Sequence, residues 1–251
     1  MISRLRSVGL EWAVPIALVA AIWFWTASAD SFFFPPLKQV LHTFWNFWLA
    51  GPGLLNDALP SLGRWLAAYI LCVILGVGIG IPMGLNQSAR EIADPVLSFI
   101  RSTPPPALLP IAMIILGIGN AMQISMIVLV SVFPILLSTA DGMAEIHATV
   151  RSVARAYRIP FFAALRLIFL PAAGPRILAG MRTSCSMALM MIILSEMFGS
   201  TNGIGYQILA SLRSFAIAEM WSGIILIGVL GYLINVAFGW MEGRLLRWTR
   251  R

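Results

Sequence analysis

Long apolar runs are the feature that most restricts how this chain of 251 residues can fold. Hydrophobic residues make up 59% of the chain and charged residues 11%, and its mean hydropathy is +0.89. A run of about 20 apolar residues is long enough to cross a bilayer as a helix. The composition therefore predicts an all-α membrane protein with one transmembrane domain over residues 1–251, and it excludes the soluble domains that length alone allows.

Six transmembrane helices are predicted from these runs. A basic start and an apolar run with no small-residue cleavage site predict that the first helix is an uncleaved span. The third is interrupted by Arg101 and by Pro104-Pro105-Pro106. The predicted spans are Trp12–Ala27, Leu66–Met83, Val96–Leu116, Met122–Ser138, Thr183–Phe198 and Trp221–Trp240.

Basic residues indicate how these spans are oriented. With the N-terminus in the cytoplasm, 14 of the 17 lysines and arginines fall on the cytoplasmic side, and Lys38, Arg64 and Arg213 fall outside. Cytoplasmic loops carry such an excess, so both termini are predicted to be cytoplasmic. The net charge of +7 is explained by this sorting and does not indicate a nucleic-acid partner.

The two cysteines, Cys72 and Cys185, lie inside apolar runs, where small buried side chains are the expected role. Their spacing indicates no metal site and no redox motif.

The basic segment Ala144–Pro171 has the pattern of two short amphipathic helices. Ile159-Pro160 predicts a break between them, and Leu170-Pro171 predicts the end of the second. The first has one apolar face, formed by Ile146, Val150, Val153, Ala154 and Tyr157. The whole segment carries four arginines, Arg151, Arg155, Arg158 and Arg166. We predict a cytoplasmic hairpin that docks a partner; a solvated basic loop is the alternative.

Two further segments carry structural predictions. Between the first two spans, the stripe Leu37, Val40, Leu41, Phe44 and Trp48 predicts a short helix at the outer membrane interface. In the second span, small residues at four-residue steps predict close contact with another helix, of this chain or of another subunit; they are Gly76, Gly80 and Gly84.

Candidate pathway residues lie where the third span is interrupted. Asp94-Pro95 predicts a helix start, and three prolines after Arg101-Ser102-Thr103 predict its end. Broken backbone at membrane depth is tolerated where it lines a cavity. Arg101 is therefore predicted to attract an anion, with Ser102 and Thr103 donating hydrogen bonds. The alternative is an arginine that reaches the lipid headgroups.

Glu196 is the acidic residue nearest the core of a predicted span. Ionisable groups there face a cavity or a partner, so Glu196 is predicted to act in gating or in partner contact. A carboxylate at the outer end of its helix is the alternative.

The basic segment also resembles the coupling loop of binding-protein-dependent ABC-importer permeases, with its pattern E-A-A-x-x-x-G, nine residues, then I-x-L-P. Ile168-Phe169-Leu170-Pro171 and Ala154 match it, whereas Ser152 and Arg158 stand at the glutamate and glycine positions. Other matches follow in order and resemble the branch that imports alkanesulfonates, taurine and nitrate. They are Phe34-Pro35-Pro36, Ser61-Leu62 with Arg64, Gly78–Leu85, Asp94-Pro95, Gly117-Ile118-Gly119, Ser195-Glu196 and Gly203-Ile204-Gly205.

This resemblance implies the type I ABC-importer permease fold in a bacterial inner membrane, and no enzymatic activity. It implies a second permease subunit, with a homodimer expected, two cytoplasmic ATPases and a periplasmic substrate-binding protein. The chain has no G-x-x-x-x-G-K-S/T loop, so ATP and Mg²⁺ are expected on the ATPase and no cofactor on this chain. The residues expected to couple to the ATPase are Ser152, Val153, Ala154, Arg155, Ala156, Tyr157, Arg158 and Ile159.

The expected function is import of a small anionic solute by alternating access. Two alternatives stay open: a permease for an uncharged vitamin precursor, and a carrier or intramembrane enzyme that works without ATPases.

Overall fold

The computed structural model describes residues 14, 17, 19–26, 28 and 31–246, and every regular element within them is a helix. The helices are α1 Leu37–Phe44, α2 Leu59–Leu85, α3 Gln87–Ser102, α4 Pro105–Leu116, α5 Asn120–Ala144, α6 Ala148–Ala156, α7 Phe161–Ala164, α8 Leu170–Gly199, α9 Ile204–Arg213 and α10 Ile217–Leu245. Trp45–Leu49, Leu54–Ala58 and Leu165–Phe169 are π-helical and continue neighbouring helices. The predicted span Trp12–Ala27 falls partly outside the described residues.

Within the described residues, four helical segments are long and apolar enough to cross a membrane: Leu54–Leu85, Asn120–Ala144, Phe161–Gly199 and Ile217–Leu245. The predicted second, fourth, fifth and sixth spans lie inside them. The bent pair α3–α4 makes a fifth if it counts as one span. The all-α membrane class is thereby confirmed.

The third predicted span is a broken helix pair. Helices α3 and α4 meet at 93°, and Thr103 and Pro104 between them have extended backbone. Prolines lack the amide needed to continue a helix, so the predicted break is confirmed. The predicted start at Asp94-Pro95 is wrong. Asn86 caps α3 instead by accepting a hydrogen bond from the Ser88 amide at 3.0 Å, and Pro95 lies inside the helix.

Helices α2, α5 and α8 form the centre of the molecule. The glycines of α2 face α5 of the same chain, which answers the question that the sequence left open. A Cβ placed on Gly80 would lie 2.6 Å from the Leu136 carbonyl oxygen. The two backbones therefore approach more closely than any side chain at position 80 would permit.

The predicted interfacial helix forms as α1 and its π-helical continuation, but it is not a simple lipid-facing stripe. Val40 and Trp48 are buried. The Trp48 indole Nε1 donates a hydrogen bond to Ser222 Oγ of α10 at 3.0 Å. A buried indole needs such a partner, so the segment is anchored to the protein.

The basic hairpin has the predicted break and a different end. Helix α6 stops before Tyr157, and the chain resumes as α7 after Pro160. Pro171 does not close the second helix. It occupies the first turn of α8, where the π-helical segment gives way to α-helix and a missing amide donor costs little. Phe161–Gly199 is thus one helical segment of 39 residues, roughly 58 Å long.

The close packing of α2 on α5 leads to a matched test. Gly80→Ala is expected to lower the free energy of unfolding by about 1–3 kcal/mol, because its methyl group meets backbone that cannot move aside. Gly78→Ala is the control, since a Cβ there has no atom within 4 Å. Thermal unfolding of the purified protein measures both, and equal melting temperatures would contradict the close contact.

Candidate functional site

The carboxylate of Glu196, near the Gly199 end of α8, is buried in an ion pair. Its Oε1 lies 2.7 Å from Arg64 Nη1 of α2, and the two side chains are 0% and 7% exposed. Arg64 therefore does not belong to an outer loop, where the orientation analysis placed it. A buried carboxylate at this depth requires a cation close by, and Arg64 supplies it.

Further polar groups complete the shell of this pair. Ser61 Oγ donates to Glu196 Oε1 at 2.7 Å. Arg64 Nη1 donates to Gln123 Oε1 of α5 at 2.9 Å, and Arg64 Nη2 donates to Asn202 Oδ1. Gln123 Nε2 donates in turn to the Gly199 carbonyl at 3.0 Å. We call this set the outer network, after the side of the membrane on which the predicted orientation places it: Asp57, Ser61, Arg64, Gln123, Glu196 and Asn202.

The outer network also caps helix α9. The first amides of a helix have no partner within the helix. Here the amides of Gly203, Ile204 and Gly205 donate to Asp57 Oδ1 at 2.9 Å, Ser61 Oγ at 3.0 Å and Glu196 Oε2 at 3.0 Å. Carboxylates at a helix N-terminus are favoured by the helix dipole. The loop between α8 and α9 is thus held by side chains from the π-helical segment Leu54–Ala58, from α2 and from α8.

Gly203 is required by this arrangement. Its φ is +118°, and an added Cβ would lie 2.6 Å from Glu196 Oε1. Only glycine satisfies both the backbone conformation and the close approach.

The sequence pattern indicates Glu196 as an unusual charge but does not indicate its partners. Asp57, Ser61 and Arg64 stand four and three residues apart, which is a polar stripe on one helical face. Arg64 is also the single lysine or arginine between Lys38 and Arg90. Those two features of the sequence could have predicted the pairing of Arg64 with Glu196. No comparable feature of the sequence marks Gln123 or Asn202.

Arg101 and Thr103 line a cavity of about 350 Å³ between the α3–α4 break, α5 and Met187 of α8. Arg101 is exposed, and its guanidinium reaches only Leu97 O and Ser98 Oγ of its own helix, each at 3.4 Å. No carboxylate pairs with it within the described residues. Ser102 Oγ donates a hydrogen bond to the Ser98 carbonyl oxygen at 2.7 Å, and Ser102 does not line this cavity. Glu196 is not in the lining either.

Met187 also lines a second cavity, of about 800 Å³, between α8 and α10. The basic residue that lines this second cavity is Arg182. Its guanidinium donates a hydrogen bond to Asn235 Oδ1 at 3.0 Å and lies 3.6 Å from the Glu242 carboxylate. The charge of Arg182 is therefore compensated, while that of Arg101 is not.

The tip of the hairpin is a left-handed turn at Arg158. Helix α6 ends in a Schellman motif, in which the Ile159 amide donates to Ala154 O at 3.0 Å and the Arg158 amide to Arg155 O at 2.9 Å. The residue in the middle of this motif is usually glycine. Arg158 has φ +50°, so an arginine adopts the left-handed conformation that glycine usually adopts at this position of a Schellman motif.

The predicted apolar face of α6 is divided between the chain's own core and the surface. Ile146 and Ala154 are buried against Ile177 of α8 and its neighbours. Val153 and Tyr157 are 48% and 77% exposed. Phe161 and Phe162, just past the break, are exposed as well. The hairpin is therefore anchored by one side and presents an apolar and arginine-bearing surface on the other.

The chain matches the family model described as "Binding-protein-dependent transport system inner membrane component" over residues 72–251. It is 27% identical to the taurine transport system permease protein TauC of Escherichia coli K12, over 98% of this chain and 96% of TauC. It is 31% identical to the bicarbonate transport system permease protein CmpB of Synechococcus elongatus, over 78% of this chain and 70% of CmpB.

A solved structure has a similar fold. A chain of the MetNI methionine ABC transporter in an inward-facing conformation superposes with a TM-score of 0.61 at 19% identity. The match covers 73% of this chain and 94% of that one.

The buried ion pair leads to a stability prediction. Arg64→Ala and Glu196→Ala are each expected to lower the free energy of unfolding by about 3–5 kcal/mol, because each leaves an uncompensated buried charge. The double variant should lose less than the sum of the two. Arg176→Ala is the control: its pair with Glu145, at 2.6 Å, is more than half exposed, and such pairs contribute about 0–1 kcal/mol. Thermal unfolding in detergent measures all four, and equal losses would refute a special role of the buried pair.

Proposed function

The chain belongs to the family of binding-protein-dependent transport system inner membrane components, and on that premise we propose that it carries a small anionic solute inward by alternating access. Membership makes it a permease subunit of an ABC importer in the inner membrane, not an enzyme. ATP hydrolysis is carried by a separate ATPase, and a substrate-binding protein is the other partner that the family implies. The resemblance drawn from the sequence is confirmed by this match.

The solute is proposed to carry an oxyanion group. The relatives TauC and CmpB are named for taurine and bicarbonate transport, and both solutes present anionic oxygens. Arg101 offers an unpaired guanidinium beside Thr103 in an open cavity. A guanidinium binds such oxygens through paired, charge-assisted hydrogen bonds. We propose Arg101 and Thr103 as solute contacts, with Ser102 holding the helix end.

The coupling element is proposed to be the hairpin tip, Ser152–Ile159. The observation that carries this proposal is the exposed apolar surface of Val153 and Tyr157 on an otherwise anchored hairpin. Large apolar side chains facing water are typical of a binding surface. We propose that the ATPase covers this surface and moves the helical segment Phe161–Gly199 with it.

Glu196 is proposed to act through the outer network and not by contacting the solute. Its carboxylate is fully buried and holds the loop before α9. If the hairpin is cytoplasmic, this loop lies at the periplasmic end of the 39-residue segment. We propose that it belongs to the gate on that side.

The complete transporter is proposed to contain two copies of this chain, two ATPases that bind ATP and Mg²⁺, and one binding protein. Six spans per copy and cytoplasmic termini stay part of this proposal.

The coupling proposal is tested by removing the exposed side chains while the anchor stays. The double variant Val153→Ser, Tyr157→Ala is expected to weaken ATPase binding at least tenfold, because it deletes the centre of the apolar contact. Co-purification of the ATPase and solute uptake by reconstituted transporter should fall together. Phe33→Ala is the control, an exposed aromatic beside Trp221 at the start of α10. Unchanged co-purification in the double variant, or retained uptake with the permease alone, would refute the proposal.

The pathway proposal is tested at Arg101. Arg101→Gln is expected to lower uptake of taurine or bicarbonate by about tenfold or more, since a hydrogen bond to a charged group contributes about 1.5–3 kcal/mol. Arg101→Lys should retain part of the uptake. Assembly with the ATPase should be unaffected in both. Unchanged uptake by Arg101→Gln in a normally assembled complex would remove Arg101 from the pathway.

A further inference from the structure

We infer that the partner ATPase presents carboxylates to Arg155 and Arg158, so that charge as well as shape selects the motor that this hairpin accepts. The inference rests on the proposed coupling role of the hairpin and adds the chemistry of the surface that receives it. The inference depends most on Arg158, which has a left-handed backbone conformation that favours glycine.

The backbone at Arg158 argues for a role of its side chain. The turn has φ +50°, and both hydrogen bonds of the Schellman motif are formed. Glycine adopts this conformation without the steric cost that any other residue meets. An arginine here strains the backbone, and strained backbone positions cluster at functional sites. The strained turn also fixes where the guanidinium leaves the hairpin.

The charge of this tip is not balanced by the chain itself. Arg151 is turned inward and donates to the Met143 carbonyl. Arg155 donates only to Arg151 O, at 3.4 Å. Glu145, the nearest acidic residue in sequence, is occupied by Arg176 at 2.6 Å. Across the part of the chain that the structure describes, no carboxylate pairs with Arg155 or Arg158. Both side chains are exposed and their positive charge is available to a partner.

The surroundings of Arg158 specify the kind of partner. Tyr157 precedes Arg158, Phe161 and Phe162 follow it, and all three aromatic side chains are exposed. The two phenyl rings meet edge to face, with their centroids 5.6 Å apart. Arginine and aromatic side chains together are the composition of protein-binding hot spots. The partner surface is therefore an apolar groove with carboxylates at its rim. Attraction to anionic lipid is the competing source of affinity, but it sums over charges and requires no strained turn.

The experiment measures the affinity of the purified ATPase for the full-length permease in nanodiscs of neutral phosphatidylcholine. Arg158→Gly keeps the left-handed turn and removes the charge, and it is expected to weaken binding about tenfold and to reduce its salt dependence. Arg158→Lys keeps the charge but not the planar fork and should lose less. Arg158→Glu should lose more than Arg158→Gly, because it opposes like charges.

Two matched controls separate charge, position and backbone. Arg166→Gln removes another exposed arginine of the hairpin, beyond the break, and should change binding less than twofold. Phe215→Gly makes the same backbone change as Arg158→Gly in another Schellman motif, because Phe215 has φ +59° at the end of α9. It should leave ATPase binding unchanged.

Several results would overturn the inference. Wild-type or tighter binding by Arg158→Gly would show that the arginine is only a strained substitute for glycine. An effect confined to nanodiscs with anionic phosphatidylglycerol would assign the arginines to lipid. A loss with Arg166→Gln equal to that with Arg158→Gly would reduce the effect to overall charge. In each case the double variant Val153→Ser, Tyr157→Ala still tests the coupling role, so the two proposals fail separately.

Discussion

The pairing of Glu196 with Arg64 is the interaction on which one end of this molecule depends. Removing a carboxylate from water in an apolar bundle is unfavourable by several kcal/mol unless a cation and hydrogen-bond donors surround it. Glu196 has Arg64 at 2.7 Å and further donors in Ser61 and the Gly205 amide. Because these groups come from α2, α8 and the start of α9, neutralising one charge fixes three elements relative to one another. Gln123 adds α5 to the same assembly.

This assembly is continuous with the hairpin at the far end of α8. The helical segment Phe161–Gly199 runs from the hairpin break to the loop that the outer network holds. Its side contact with α5 and the glycine-mediated contact of α2 with α5 leave little space for sliding, since close-packed interfaces do not deform continuously. In the proposed coupling role, a displacement of the hairpin would therefore be transmitted along the segment. The α3–α4 pair is bent at 93° beside the cavity with Arg101, so the helical backbone is interrupted there.

The arginines of this chain differ in whether a carboxylate of the chain pairs with them. Arg64, Arg90, Arg176 and Arg182 pair with carboxylates of this chain and hold its helices together. Arg101, Arg155 and Arg158 have no carboxylate partner within the described residues. Arg151, Arg166, Arg213 and Arg244 have no carboxylate partner there either, but Arg151 is turned inward and Arg244 lies over the Trp240 ring. Arg101 lies at the proposed pathway, and Arg155 and Arg158 lie at the proposed coupling tip. An unpaired guanidinium retains its capacity to bind an anion, so Arg101, Arg155 and Arg158 meet one requirement of their proposed roles, and their positions in the fold supply the other.

The amino-acid sequence is sufficient to predict the all-α membrane class, the broken third span and the break in the hairpin, because these follow from apolar run length and from proline geometry, which are local. It also located Glu196 and Arg101 as unusual charges. Contacts between distant parts of the chain show that Arg64 neutralises Glu196 and that the glycines of α2 face α5. The structure also shows that Pro171 lies within a continuous helical segment instead of ending a helix. Arg64 and Glu196 are 132 residues apart, and no local pattern reports which charges meet across such a distance. The left-handed turn at Arg158 shows the same limit, since the fold imposed on an arginine a conformation that its own preference disfavours.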